Sequence, residues 1–252
     1  MAAKTKMPSI PEGAIPVLDH GYVRLIETYG SDSRIIEAAR MSTDKGFLGW
    51  ESDQGLLNYL YRNDHATPFE MAGMIIEVKA PIMVFREWHR HRTQSYNEMS
   101  ARYIPLPNEH YIPTLDRVMR GSLLLGNKQA TKADSAAQLT PKMAKQWLAA
   151  LRRLFKDSET VYQMGLKVGV PKELSRGATV VFRYSKMRAA SNLRNWLAFL
   201  TLRDALNAQE EIRVYAQAVD TLITMSFPRT HKLYLERKHM RNPNYWSTKQ
   251  AA

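Results

Sequence analysis

Arg90-His91-Arg92-Thr93-Gln94-Ser95-Tyr96-Asn97-Glu98-Met99-Ser100-Ala101-Arg102-Tyr103 is the stretch on which the reading of this chain turns. It sets Arg90, Arg92 and Arg102 close together, and a guanidinium grips phosphate or carboxylate through two parallel hydrogen bonds where an ammonium acts as a point charge. Asn97 and Glu98 can hold ribose hydroxyls or orient an arginine. Ser100 and Ala101 are small enough to let backbone N–H groups close on a phosphate, as in a nest. Together these residues describe a nucleotide site. The same residues also suit a solvated basic helix end, with His91 packed on the core and Glu98 paired to an arginine. His89 and His91 make a poor metal pair, because residues two apart on a helix face different ways and no acidic partner stands at ligand spacing.

Outward from this segment, composition sets the bounds. The chain has 252 residues and no cysteine, so disulfides, thiolate metal sites and cysteine nucleophiles are excluded. A formal charge of +12, from 36 Lys and Arg against 24 Asp and Glu, favours an anionic partner. Its arginines are spaced among apolar residues, which suits a pocket better than a solvated tail and argues against nucleic acid. No apolar run approaches the roughly 20 residues of a membrane span, and the first residues lack the apolar stretch of a secretory signal. A soluble, cytoplasmic protein with one folded core is expected.

Hydrophobic period gives the elements. Residues 1–16 hold four prolines or glycines and read as an extended N-terminal arm. Tyr22 to Glu27 reads as a strand, and Asp32 or Ser33 as the cap of a helix carrying Ile35, Ile36 and Ala39. A helix from about Asp53 carries Leu56, Leu57, Leu60 and Tyr61. Met74, Ile76 and Val78 alternate as a strand, and Pro81 opens a helix with Ile82, Phe85 and Trp88 inside, which leads into the arginine segment. Residues 108–138 read as a variable excursion with a short helix near Leu123. Thr140 and Pro141 start a long helix with Trp147, Leu148, Leu151, Leu154 and Phe155 as its stripe. Ala178 to Tyr184 is a third strand candidate. Two helices follow, Ser191 to Asp204 and Asn207 to Met225, the second capped by Asn207 with Glu210 three residues on. The sum is one helix-rich α/β (α+β) domain around a small, mainly antiparallel sheet over 17–230, with 231–252 as a C-terminal tail.

Arg90-His91-Arg92, seven residues, then Ser100 resembles the signature of the flavin-dependent thymidylate synthases, the ThyX family. Ser95-Tyr96-Asn97-Glu98 and Arg102-Tyr103 match as well. The likeness continues in Leu18-Asp19 with Gly21, Ala38-Ala39-Arg40, His65-x-Thr67-Pro68-Phe69-Glu70, Val78-Lys79-Ala80-Pro81, Tyr111-Ile112-Pro113 and Asn192-x-Arg194.

The resemblance implies a homotetramer with active sites shared between subunits, binding FAD, dUMP, methylenetetrahydrofolate and NADPH. It implies that His65, Thr67, Arg90, His91, Arg92, Glu98, Asn192 and Arg194 hold the flavin. It places dUMP between Glu87 to Arg90 of one chain and Glu98 to Arg102 of another, with Ser100, Ala101 and Arg102 on the phosphate, Met99 and Glu98 beside them, and Arg176 and Arg203 on the uracil. Arg203 is then the catalytic cation, stabilising the negative charge that develops on the ring. With no thiolate to add to uracil, the flavin must carry both hydride and methylene, which separates this family from the thiol-dependent synthases. A non-catalytic basic nucleotide- or nucleic-acid-binding protein on the same fold is the alternative. Three positions depart from the family's common residues: Glu87 for Gln, Ala198 for Asn and Asn207 for His. A carboxylate at 87 repels a nucleotide phosphate unless an arginine neutralises it.

Overall fold

Met74, Ile76 and Val78 obey their period of two: all three are fully buried on one face, and Glu77 turns to the other. They belong to β3 (Gly73–Pro81), the centre of a five-stranded, wholly antiparallel sheet in the computed structural model, which describes residues 10–120 and 139–241. On one side stand β2 (Gly21–Tyr29) and β1 (Ile15–Val17), on the other β5 (Tyr184–Asn192) and the short edge strand β4 (Ser95–Glu98). Arg24, Glu77 and Arg188 stand in register across β2, β3 and β5, with the carboxylate 2.9 Å from the first guanidinium and 3.3 Å from the second. Burial alone would raise the Glu77 pKa; the Tyr22 hydroxyl and the two arginines outweigh it and hold the carboxyl below its ordinary range.

Helices cover the apolar face. Those nearest the site are α1 (Asp32–Arg40), α2 (Trp50–Arg62), α3 (Ile82–Trp88), and, after α4 (Leu115–Arg120), α5 (Pro141–Lys167) and α6 (Lys172–Ser175), the pair α7 (Leu193–Arg203) and α8 (Glu210–Ser226), followed by α9 (Pro228–Arg241). Trp196 of α7 donates to the Met74 carbonyl at 3.1 Å, and Tyr215 of α8 to the Lys79 carbonyl at 2.8 Å, so both aromatic helices are bonded to β3 as well as packed on it. Gly21 permits this approach, because a Cβ there would lie 1.9 Å from the Tyr215 hydroxyl.

Several expectations change. The cap of α1 is Ser31, whose Oγ accepts from Arg34 N at 3.2 Å. Asp32 is instead buried and accepts from Arg229 N (2.8 Å), Thr230 N (3.1 Å) and Thr230 Oγ1 (2.6 Å), closing the N-terminus of α9. The segment from residue 231, expected as a tail, is therefore helical to Arg241. The arm expected over 1–16 gives Ile15 and Pro16 to β1. The second helix starts earlier, at Trp50, and Asp53 is a buried partner of Arg40.

Ala178 to Tyr184 is not the strand; β5 begins where that stretch ends. The carbonyls of Val181 and Arg183 accept from Met83 N and Ile82 N, each at 2.9 Å, so this β-prone stretch serves the start of α3. Ala189 and Ala190 enter the sheet because β3 and β4 pair with β5 from both sides. Asn207 does not cap α8, which starts three residues later with Gln209 in the cap position, while Glu210 and Glu211 reach across to Arg117. In α5, Leu148, Leu151 and Phe155 are buried, but Trp147 (46% exposed) and Leu154 (52%) face outward. The helix expected near Leu123 lies outside the described residues; the one in that region is α4.

Candidate active site

The arginine segment begins where α3 ends, and apolar anchors fix its course. Trp88 is fully buried, stacks on Phe199 at 4.6 Å and donates to Gln94 Oε1 at 3.0 Å. Tyr96 donates to the His91 carbonyl at 2.7 Å. Residues 88–94 therefore form a turn pinned from inside, with Arg90 and Arg92 left exposed outside it. The chain then enters β4, whose Glu98 is exposed at the sheet edge.

Arg203, in the last turn of α7, reaches back to this turn. Its Nη1 donates to Glu87 Oε2 (3.0 Å), its Nη2 to the Glu87 carbonyl (3.0 Å) and its Nε to His91 Nε2 (2.9 Å). A guanidinium has five N–H groups, so two remain for a ligand. Because His91 Nε2 accepts, the proton of the neutral ring sits on Nδ1. Burial, reinforced by the adjacent Arg203 charge, pushes the His91 pKa down to about 4, so the ring is neutral at neutral pH. Burial moves Glu87 the other way, up from the usual carboxylate range, with Arg203 opposing and Glu211 adding to the rise. The acidic residue at 87 has the neutralising arginine that its position demands.

Beyond β4 the backbone makes a tight turn. Met99 N donates to the Lys186 carbonyl at 2.7 Å, and the Ser100 carbonyl accepts from Tyr103 N (3.0 Å) and Ile104 N (3.2 Å). Ala101 is buried, and Arg102 stands exposed 3.7 Å from Glu173 of α6. Arg176 follows α6 in a short 3-10 turn and is exposed. Within one chain, Arg176 and Arg203 share no hydrogen-bond or ion-pair partner among the described residues.

The remaining expected residues surround a cleft of about 800 Å³ between α2, α7 and α9, lined by His65, Phe69, Arg194, Ala198, Asn207 and Tyr234 among others. An adjoining recess of about 690 Å³ shares His65 and Arg194 and adds Thr67. Asn192 caps α7, its Oδ1 accepting from Asn195 N at 3.0 Å, and so aims the first turn that carries Arg194. Arg194 pairs with Glu70 of the His65 to Glu70 run. Ala198 and Asn207, two of the departures, thus fall on one cavity. The sequence reading missed the wall formed by Tyr234, Arg237 and Lys238 of α9. Pro228 at the helix start, followed by the Leu233 and Tyr234 pair, was the available signal for a helix where a tail was expected.

A family model described as "Thymidylate synthase complementing protein" matches residues 24–229. The chain is 39% identical over 228 residues to the flavin-dependent thymidylate synthase of Ehrlichia ruminantium (strain Gardel), covering 87% of this chain and 72% of that one. It is 38% identical over 234 residues to the flavin-dependent thymidylate synthase of Rickettsia prowazekii (strain Madrid E), covering 88% and 78%. Its fold is similar to the crystal structure of a UMP/dUMP methylase, PolB, from Streptomyces cacaoi bound with 5-Br dUMP, with a TM-score of 0.75 and 30% identity over 88% of this chain and 97% of that one. With the Arg90 to Tyr103 segment, the antiparallel sheet and matched relatives along most of its length, the chain belongs to the flavin-dependent thymidylate synthase family.

Proposed function

We propose that this chain is a thymidylate synthase that methylates dUMP to dTMP in the cytoplasm, taking carbon from methylenetetrahydrofolate and hydride from FAD reduced by NADPH, as a homotetramer with shared sites. The observation that carries the reading is Arg203, a half-buried cation fixed by Glu87 and His91 with two N–H groups to spare, next to the turn that bears Arg90 and Arg92. Matched relatives named for the reaction support it, as does a structural neighbour bound with a brominated dUMP.

The donor set fits a flavin nucleotide. The cleft has the volume of a small-molecule site, an apolar floor of Phe69, Leu197 and Ala198, and Arg194 at its side for a pyrophosphate. His65 and Thr67 line the cleft and the adjoining recess, Asn192 sets the turn that carries Arg194, and the exposed Arg90 and Arg92 of the neighbouring sequence motif are further cations for the same cofactor. FAD, when bound, supplies the hydride and carries the one-carbon unit.

Arg203 supplies the electrostatics. As the uracil ring gains negative charge, a guanidinium already oriented by its own chain stabilises that charge without reorganising. Neutral His91 takes the Arg203 Nε hydrogen bond without adding a competing charge. Glu87 places Arg203 and balances it until substrate arrives. In the turn after β4, the Ser100 and Ala101 N–H groups have no partner among the described residues and, with Arg102, suit the dUMP phosphate. Glu98 and Met99 lead into that turn, and Arg176 is the second cation for the uracil. Arg176 and Arg203 share no partner within one chain among the described residues, which is consistent with a site completed by another subunit. The outward face of α5, with Met143, Trp147, Leu154, Val161 and Met164 exposed, is an apolar surface of the kind subunits cover.

Purified protein should be yellow with flavin and form dTMP from dUMP, methylenetetrahydrofolate and NADPH. Absence of dTMP with FAD added would refute the enzyme reading and leave the non-catalytic nucleotide-binding alternative.

A further inference from the structure

Arg183, one residue before β5, is fully buried, and nothing in the proposed chemistry uses its charge. Its Nε donates to the Pro107 carbonyl at 3.0 Å and its Nη2 to the Leu106 carbonyl at 2.8 Å, while Nη1 donates to Glu159 Oε2 of α5 at 2.6 Å. The guanidinium lies 4.8 Å from the centre of the buried Tyr162 ring, and the Tyr162 hydroxyl accepts from Leu106 N at 3.3 Å. A buried cation is costly unless it is paired and hydrogen-bonded, and an apolar side chain of similar volume would fill such a space at equal or lower cost. What an apolar side chain could not do is hold two carbonyls. The arginine fixes the backbone at residues 106 and 107.

That backbone is the far end of the loop that carries Ser100, Ala101 and Arg102. The near end is Met99, whose N–H donates to the Lys186 carbonyl within β5 at 2.7 Å. Both ends of the loop 99–107 are thus tied to one short stretch, residues 183–186, where β5 begins. Between the ties, Tyr103 N and Ile104 N close back on the Ser100 carbonyl, and the exposed Lys172 of α6 reaches the Tyr103 carbonyl at 3.0 Å. The Arg183 carbonyl also accepts from Ile82 N, so the residue that anchors this loop also anchors the start of the helix bearing Glu87. The N–H groups of the Ser100 turn suit an anion only while the turn keeps its shape. If the far tie is lost, the loop must be ordered at the moment of binding, and affinity for the anion falls by the cost of that ordering.

We infer that Arg183 is a positioning residue for the substrate: through the Leu106 and Pro107 carbonyls it fixes the loop that presents Ser100, Ala101 and Arg102 to the nucleotide phosphate. The inference rests on that turn being the dUMP phosphate site. The test titrates the full-length, FAD-loaded protein by calorimetry with dUMP and with deoxyuridine, which lacks the phosphate. The ratio of the two Kd values, deoxyuridine over dUMP, isolates the share of binding owed to the phosphate. In Arg183→Met this ratio should fall about tenfold, through dUMP alone. The KM for dUMP should rise while kcat stays within about twofold of wild type. Loss of folded protein lowers the number of sites titrated and leaves the ratio unchanged, so it cannot imitate the effect. Tyr162→Phe keeps the ring and removes only the hydroxyl on Leu106 N; its ratio should fall about threefold with melting close to wild type. Arg102→Ala reports on the turn itself. A ratio that falls in Arg102→Ala but holds its wild-type value in Arg183→Met, or in Tyr162→Phe where Arg183→Met does not fold, overturns the role of Arg183 and leaves the phosphate site standing. A ratio unmoved by Arg102→Ala overturns the phosphate site and the role of Arg183 together.

Discussion

Arg203 and Glu87 meet twice, through the carboxylate at 3.0 Å and through the Glu87 carbonyl at 3.0 Å, so the end of α7 is tied to both the side chain and the backbone of α3. A cation bonded in this way cannot swing to follow a substrate; the substrate must come to it. Arg203→Ala should lower turnover by about 10²-fold or more, the scale of losing one preorganised electrostatic group. Flavin should remain bound, as read from its visible spectrum. Unchanged kcat would remove Arg203 from the chemistry.

Glu87→Gln keeps an acceptor for Arg203 and removes the negative charge. The KM for dUMP should fall about threefold to tenfold, since an anionic substrate no longer faces a carboxylate. The raised pKa of Glu87 adds a pH signature. As pH falls toward that pKa, the wild-type KM should approach that of the variant, whose own KM stays flat. Steady-state kinetics across pH decide the matter, and a KM that rises in Glu87→Gln counts against this account.

His91 links the site to stability. Its folded pKa of about 4 lies below the ordinary histidine value, so the unfolded chain binds more protons between the two. The stabilisation is complete above the unfolded value of about 6.5 and is lost as pH falls toward 4, by on the order of 1–3 kcal/mol. Urea unfolding at several pH values should show that slope, and His91→Gln, which can still accept from Arg203 but does not titrate, should flatten it.

Asp32→Ala removes a buried carboxylate that accepts from two backbone N–H groups and a hydroxyl. The expected loss is about 2 kcal/mol or more, with Asp32→Asn milder because it keeps one acceptor. Denaturant titration measures both. Since α9 lines the cleft, FAD affinity should fall alongside stability, and a variant as stable as wild type would contradict the capping role.

Leu154→Lys places a charge on the outward face of α5 without touching the buried stripe of Leu148, Leu151 and Phe155. Helicity should be unchanged while the assembly loses mass in light scattering. A variant that keeps the wild-type mass would free this face from any part in the oligomer.

Legibility followed locality. The alternation of Met74, Ile76 and Val78 and the Thr140 and Pro141 helix start were open to reading because each depends on neighbours within a few residues. Arg203 and Glu87 could be named singly, but not their contact, because 116 positions separate them. Two of the misread elements share a cause. Val181 looked like strand and serves α3; Asp32 looked like the cap of its own helix and serves α9; Asn207 looked like a cap and lines a cavity. In the first two, a distant partner overrode local propensity.

The bond from Asp32 to Thr230 spans 198 positions. During synthesis α1 emerges long before α9, and its buried carboxylate waits for a partner until residues 229 and 230 have left the ribosome. The wall bearing Tyr234 is thus the last part of the cleft to be assembled, and closing so long a loop slows that step. A chain clipped before Pro228 would present the arginine turn intact yet lack one wall of the cleft.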